Sequence, residues 1–223
     1  MLQVIIVAGG RGSRMGLETP KQFLLLGGRP LLMHSILAFR KYDPEVPVTV
    51  VLPADQIENW QSLCRDYHFR ESHDIVTGGD TRFHSVQNGL DHLDGDGLVA
   101  IHDGVRPLIQ VPVIVQLVAE AAAYSSAVPV ISPRDSLRWM DHEGNRVLDR
   151  SHVKVIQTPQ IFDLNKLKLA YVQDYDPAFT DDATVWEKAG NPVHLSQGQE
   201  SNIKITHNVD LPMAQALFSI LSP

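Results

Sequence analysis

An α/β fold with a mostly parallel sheet covered on both faces is what this sequence predicts, on three observations. Apolar, strand-like runs alternate with segments of helical periodicity over most of the 223 residues, the pattern of βαβ units. The first apolar run leads straight into a glycine-rich loop, Ala8-Gly9-Gly10-Arg11-Gly12-Ser13-Arg14-Met15-Gly16. The alternation breaks once, between Pro133 and Arg150, where the pattern becomes that of a hairpin.

Taken in order, residues 2–7 are a buried strand, 31–40 a helix and 48–52 a strand. Residues 55–67 form a helix with Asp55 as a plausible N-cap. Residues 75–76 are a short strand, and 81–93 a helix with Val86, Leu90 and Leu93 at helical spacing. Residues 98–101 are strand, 111–124 helix and 127–130 strand. Then Ser136-Leu137-Arg138-Trp139-Met140 alternates, 141–145 turns and Arg146-Val147-Leu148 alternates again. This is a β-hairpin with a loop of four or five residues. Carrying Trp139, Met140 and Leu148, it is costly alone in water. It either folds back on its own domain or packs on another subunit. Residues 153–157 read as strand, 164–173 and 181–189 as helices, 193–195 as strand and 211–221 as a closing helix. The whole is a single Rossmann-like three-layer domain over 1–223, with a protruding β-hairpin arm at about 134–150. Right-handed crossovers set the C-terminal strand ends along one edge, where ligands of such folds bind. The Gly9–Gly16 loop, the Gly78-Gly79-Asp80 turn and the His102-Asp103-Gly104 turn each follow a strand, so they converge there.

The glycine loop points to a polyanion. Glycines let the backbone approach a ligand closely, and successive N–H groups can cradle phosphate oxygens. Between Arg11 and Arg29 the chain carries four basic residues and one acidic one, Glu18, although its net charge is −7. Two better-known loops fail. The dinucleotide fingerprint lacks its third glycine in Gly10-Arg11-Gly12-Ser13-Arg14-Met15, and a P-loop would need Lys and Ser or Thr after Gly16, where Leu17 and Glu18 stand.

Composition narrows the classes. No basic stripe or tail marks a nucleic-acid binder, and no apolar stretch approaches the ~18 residues of a membrane span. Residues 2–7 lack the basic n-region of a signal peptide. The single cysteine, Cys64, excludes an internal disulfide, fits a cytoplasmic protein and falls in a helical pattern as core. No Cys or His cluster suggests structural zinc.

The pattern Gly9-Gly10-Arg11-Gly12-Ser13-Arg14-Met15-Gly16 with Pro20-Lys21-Gln22-Phe23 resembles the signature loop of the sugar-phosphate nucleotidyltransferases. The Pro-Lys-Gln-Phe ending points to the branch that uses CTP. Within it the chain resembles the 2-C-methyl-D-erythritol 4-phosphate cytidylyltransferases of non-mevalonate isoprenoid synthesis. The likeness continues through Gly78-Gly79-Asp80-Thr81-Arg82, Ser85-Val86, His102-Asp103-Gly104-Val105-Arg106-Pro107, Asp149-Arg150, Thr158-Pro159-Gln160, Thr180-Asp181 and Asn202-Ile203-Lys204-Ile205-Thr206.

That resemblance implies CTP as co-substrate, Mg²⁺, a sugar or polyol phosphate acceptor and a homodimer clasped by the arm. Arg14 and Lys21 match residues that stabilise the pentacoordinate transition state. Arg150 and Lys204 match groups that hold the acceptor, with Thr180, Ser136 and Thr158 beside them. Ala8, Gly9, Gly10, Gly12, Gly79, Asp80 and Ser85 match the nucleotide-binding positions, and Arg106 belongs to the same edge. Asp103 suits a Mg²⁺ ligand or, as the plainer alternative, a turn residue. Asp80 and Thr180 could each also cap the helix that follows. His102 packs or makes a hydrogen bond.

Two positions depart from the family pattern. Val7-Ala8-Gly9-Gly10 stands where Pro-Ala-Ala-Gly is usual, and Ser201 stands where Asp is usual before Asn202, with Glu200 one step earlier. The second change removes a carboxylate and leaves Asp103 and the substrate phosphates to hold a metal. The loop also resembles that of ribitol-5-phosphate cytidylyltransferases, whereas Ser85-Val86 favours the methylerythritol enzymes. A CMP-sugar synthetase fits the Pro20-Lys21-Gln22 and Thr158-Pro159-Gln160 motifs poorly. A silent CTP-binding sensor would be expected to lose one of Arg14, Lys21, Arg150 and Lys204, and all are present.

Overall fold

The computed structural model describes residues 1–10 and 19–221. In chain order its strands are β1 (Leu2–Val7), β2 (Leu25–Leu26), β3 (Arg29–Pro30), β4 (Val48–Leu52), β5 (Asp74–Thr77), β6 (Leu98–Asp103), β7 (Ser126–Ile131), β8 (Leu137–Asp141), β9 (Gly144–Leu148), β10 (Val155–Ile156), β11 (Gln160–Asp163) and β12 (Leu195–Gln197). The helices are α1 (Leu31–Tyr42), α2 (Ile57–Asp66), α3 (Arg82–His92), α4 (Val111–Tyr124), α5 (Leu164–Ala170), α6 (Asp182–Lys188) and α7 (Asp210–Leu221).

The central sheet runs β10-β7-β11-β6-β1-β4-β5, with β12 also on β7. β1 is parallel to β4 and β6, and β4 is parallel to β5. β1, β4 and β6 are near-continuous apolar runs, as parallel strands covered on both faces must be, whereas β5 is a half-exposed edge strand. Side chains alternate between the faces. Val4 and Ile6 enter one core with Phe39, Trp60 and Leu117, contributed by α1, α2 and α4. Ile5 points the other way, into a core with Val86, Leu90, Leu167 and Trp186 from α3, α5 and α6. A third, smaller cluster of Leu26, Leu31, Val105, Leu108 and Ile205 is covered by Ala214 of α7. The α/β class, the mostly parallel sheet and the hairpin arm are therefore as the sequence predicts.

Several local expectations need correction. β11 runs antiparallel between β6 and β7. At four residues, with polar Gln160 and Asp163 at its ends, it carries no strand signal of its own. β2 and β3, two residues each, are likewise invisible to periodicity. Asp55 caps nothing: residues 54–56 form a 3₁₀ turn and α2 starts at Ile57 without a side-chain cap. Residues 202–206, which carry Lys204, form an irregular stretch. In the arm, Asp141 pairs with Gly144, so only His142 and Glu143 lie in the loop. Gly144 takes φ +129°, which makes that tight turn available.

Among the described residues the strands β8 and β9 pair only with each other. Trp139, Met140 and Val147 stand 50%, 77% and 74% exposed on this hairpin. Among the described residues no helix is long and apolar enough to cross a membrane. Cys64 packs against the first core, and burial pushes its thiol up to about 11, which removes it as a nucleophile.

Phe39 is fully buried and meets the ring of His102 edge-on, at 5.3 Å between centroids. Phe39→Ala is expected to cost about 3–5 kcal/mol, read by urea unfolding. A loss below about 1 kcal/mol would mean that this core closes over the gap and does not hold β6 in place.

Candidate active site

Register builds the site. Val7 of β1 pairs with Val51 of β4 and with Asp103 of β6. Leu52 pairs with Thr77 of β5. The C-terminal ends of four parallel strands thus stand side by side, and the loops that follow them meet. They enclose a cavity of about 260 Å³ bordered by Ala8, Gly9, Gly10, Lys21, Gly79, Asp80, Ser85, Asp103 and Lys204. All nine are residues that the sequence nominates. Gly12 and Arg14 lie outside the described residues.

Close approach explains Gly79. A Cβ on Gly79 would stand 2.4 Å from the Cβ of His84, so the turn into α3 admits nothing larger. Over Gly10 lies the end of the Lys21 side chain, whose Cε would stand 2.7 Å from a Cβ there and can swing aside. Ser85 shapes the same turn. Its Oγ accepts from the Gly79 N–H at 3.1 Å and its hydroxyl donates to the Thr81 carbonyl at 2.9 Å. The cap of α3 is Thr81, not Asp80: Thr81 Oγ1 accepts from the His84 N–H. Asp80 is left exposed at the rim.

Asp103 closes the floor. Its Oδ2 receives Nζ of Lys204 at 3.0 Å and Nε of Arg106 at 3.1 Å. Burial alone would raise the carboxyl, but Lys204, Arg82 and Arg106 outweigh it and hold Asp103 well below the usual carboxylate range. Arg106 also donates through Nη1 to the Asn202 carbonyl at 2.9 Å, and Asn202 donates to the Thr158 carbonyl at 2.8 Å. The Asp103 N–H donates to Thr158 Oγ1 at 3.0 Å. His102 completes the ring. Its Nε2 faces the Arg106 carbonyl, so that nitrogen carries the proton, and Nδ1 accepts from the Thr158 hydroxyl. Arg106 is therefore a brace for Asp103 behind the cavity. Lys204 reaches Asp103 because its segment is pinned on both sides, by Asn202 and by Ile205, whose N–H donates to the Val105 carbonyl.

Besides Arg106, four nominated residues are not on the cavity wall. The Thr158 hydroxyl is buried in the ring just described. Thr180 is exposed and contacts Thr184; the cap of α6 is Asp181, which accepts from the Thr184 N–H at 2.9 Å. Ser136 and Arg150 are exposed at the foot of the arm, where Arg150 donates to the Arg134 carbonyl. Conversely, Gln22 and Arg82 line the cavity without a role assigned from sequence. Arg82 was visible only as part of the Gly79-Asp80-Thr81-Arg82 motif, because its partner, Asp182, is 100 residues away.

No group of three or more acidic, His or Cys ligands stands together among the described residues. Glu200 does not replace the carboxylate missing at Ser201, since it pairs outward with Arg134. A divalent cation here would have Asp103 as its protein carboxylate and would take phosphate and water oxygens for the rest. Mg²⁺ accepts such a site.

A family model described as 2-C-methyl-D-erythritol 4-phosphate cytidylyltransferase matches residues 2–219. The protein of that name from Bacteroides thetaiotaomicron is 47% identical over 214 residues, 96% of this chain and 98% of its own. The crystal structure of the Thermus thermophilus protein of that name superposes with a TM-score of 0.76 at 31% identity, covering 96% of this chain and 97% of that one. The 4-diphosphocytidyl-2C-methyl-D-erythritol synthase of Anaerococcus prevotii gives 0.81 at 25% identity, over 98% of both chains.

Burial pushes the His102 imidazole down to about 4 from 6.5, so it is neutral in the fold. Above pH 6.5 its contribution to stability is complete. Between 6.5 and about 4 the unfolded chain takes up a proton that the folded protein refuses, and stability falls. The slope from this one group reaches about 1.4 kcal/mol per pH unit. His34 and His73 are shifted the same way by burial, so the comparison is with His102→Asn. Denaturant titrations over that window are expected to show a shallower pH slope in the variant. An unchanged slope would mean that His102 takes up its proton as readily in the fold as in the unfolded chain.

Proposed function

This chain belongs to the family of 2-C-methyl-D-erythritol 4-phosphate cytidylyltransferases, and on that premise we propose a division of labour among the residues of its cleft. The enzyme is a nucleotidyltransferase that makes 4-diphosphocytidyl-2-C-methyl-D-erythritol from CTP and the acceptor. A phosphate oxygen of methylerythritol 4-phosphate attacks the α-phosphorus of CTP, the bond from that phosphorus to the β-phosphate oxygen breaks, and pyrophosphate leaves. The acceptor phosphate is largely dianionic near neutrality, with a second pKa of about 6, so no general base is needed. What the reaction needs is two anions held together and a home for charge at phosphorus.

The cations around the cavity support that reading most directly. Lys21 lies against Gly10 at the end of β1 and stabilises the transition state together with Arg14. Lys204, held on Asp103, neutralises the acceptor phosphate and the α-phosphate. Gly79 and the turn that Ser85 shapes offer main-chain groups to the cytosine ring. Asp103 and the substrate phosphates would hold Mg²⁺, which would offset phosphate charge when bound. Family membership favours this activity over ribitol 5-phosphate as acceptor and over a silent sensor. The direct test is pyrophosphate release from CTP and Mg²⁺ with each acceptor in parallel. Release with methylerythritol 4-phosphate is expected; release only with ribitol 5-phosphate would move the acceptor assignment.

The arm clasps a second copy in a homodimer. Its exposed Trp139, Met140 and Val147 need cover, and an open apolar groove lies at its foot. Ile131, Leu137, Val155, Met213 and Leu217 line that groove, which suits the arm of a partner subunit. Arg150, Ser136 and Thr180, which do not line the cavity within one chain, serve an acceptor site completed by that pairing.

Lys21→Ala is expected to lower turnover by about three orders of magnitude or more while CTP still binds, because its charge matters most in the transition state. Near-native turnover would remove Lys21 from the mechanism. Deleting residues 136–148 is expected to give monomers in sedimentation equilibrium. Dimers that survive the deletion would place the clasp elsewhere.

A further inference from the structure

One cation at the cavity has no part in that mechanism. Arg82 is the first residue of α3, borders the cavity and keeps 28% of its side chain exposed. From behind it is clamped. Its Nη1 donates to Asp182 Oδ1 at 2.9 Å and its Nη2 to Oδ2 at 2.5 Å. Asp182 is fully buried at the start of α6, and the Tyr171 hydroxyl donates to the same Oδ1 at 2.7 Å.

Stability does not explain this arrangement. Burying a carboxylate costs several kcal/mol, and replacing a buried ion pair by apolar residues is often neutral or better. The clamp instead fixes a guanidinium in one orientation. A guanidinium has five N–H donors in a rigid plane. Asp182 takes one from each terminal nitrogen, and no other hydrogen bond of Arg82 is made among the described residues. Three donors are therefore left for a ligand at the cavity that Arg82 borders. Arg82 is also among the charges that hold Asp103 ionised, so it lies within electrostatic reach of the site floor. A planar fork of donors matches the oxygens of a phosphate, and the first turn of an eleven-residue helix adds favourable potential for an anion.

We propose that Arg82 is a phosphate-binding residue, aimed by Asp182 and Tyr171, which holds the triphosphate of CTP and makes no contact with its cytidine part. The proposal rests on the reading of this cleft as the CTP site. It also gives the buried Asp182 a task, that of a positioning residue acting through Arg82.

The test is equilibrium binding of CTP and of cytidine to the full-length protein, wild type against Arg82→Gln. Arg82→Gln/Asp182→Asn is run beside it. The double variant leaves a neutral amide pair where the single one leaves a buried carboxylate unpaired, so it serves if the single variant does not fold. CTP is expected to weaken about tenfold or more in either variant, with cytidine unchanged within about twofold. Equal weakening of both ligands would overturn the proposal and make Arg82 a purely structural residue. Unchanged CTP binding would overturn it as well. Wild-type protein that binds CTP no more tightly than cytidine would overturn the CTP reading of the cleft, and this proposal with it.

Discussion

The carboxylate of Asp103, sunk at the end of β6 and surrounded by cations, is the constraint on which the rest of the site depends. A buried carboxylate without partners would take up a proton or destabilise the fold by several kcal/mol. Lys204 and Arg106 must therefore be delivered to it, and each delivery requires structure. Arg106 arrives because His102 and Asn202 hold the turn after β6. Lys204 arrives because Gln157 and Thr158 fasten the stretch from Gln199 to Asn202. One charge at one strand end thus organises two distant segments of chain. It leaves Lys204 39% exposed, ordered yet open to a ligand.

The sheet makes this economical. Strands covered on both faces must be apolar along their length, and their polar residues collect where they end. In β6 that end is His102-Asp103, and in β1 it is the glycine loop after Val7. The parallel register then sets the two ends side by side. Neighbouring parallel strands end on the same edge, so loops far apart in sequence surround one cavity without any long-range instruction beyond hydrophobic pattern and crossover handedness.

This is also why so much of the site was legible in the sequence. Gly9, Gly79 and Asp103 each follow an apolar run, and the rule for strand ends brings them together. What escaped the sequence depends on pairings that no spacing announces. Arg82 finds Asp182 across the interface of α3 and α6, and neither residue is unusual where it stands. Thr158 turns its hydroxyl inward to His102 and Asp103, although its motif suggests a ligand. Helix caps were misplaced by one residue, Asp80 for Thr81 and Thr180 for Asp181, because adjacent oxygen-bearing side chains compete and local backbone geometry chooses between them. β11 is illegible in the sequence, since four residues with polar ends carry no period.

If Asp103 is the organiser, then it and Lys204 act as one unit. The direct measurement is a double-mutant cycle with Asp103→Asn and Lys204→Gln, read as kcat/KM for pyrophosphate release. The account predicts strong non-additivity, with a coupling of about 0.5–3 kcal/mol, because losing either partner already misplaces the other. Effects that add to within about 0.5 kcal/mol would contradict it, and would make Asp103 and Lys204 independent contributors to the site.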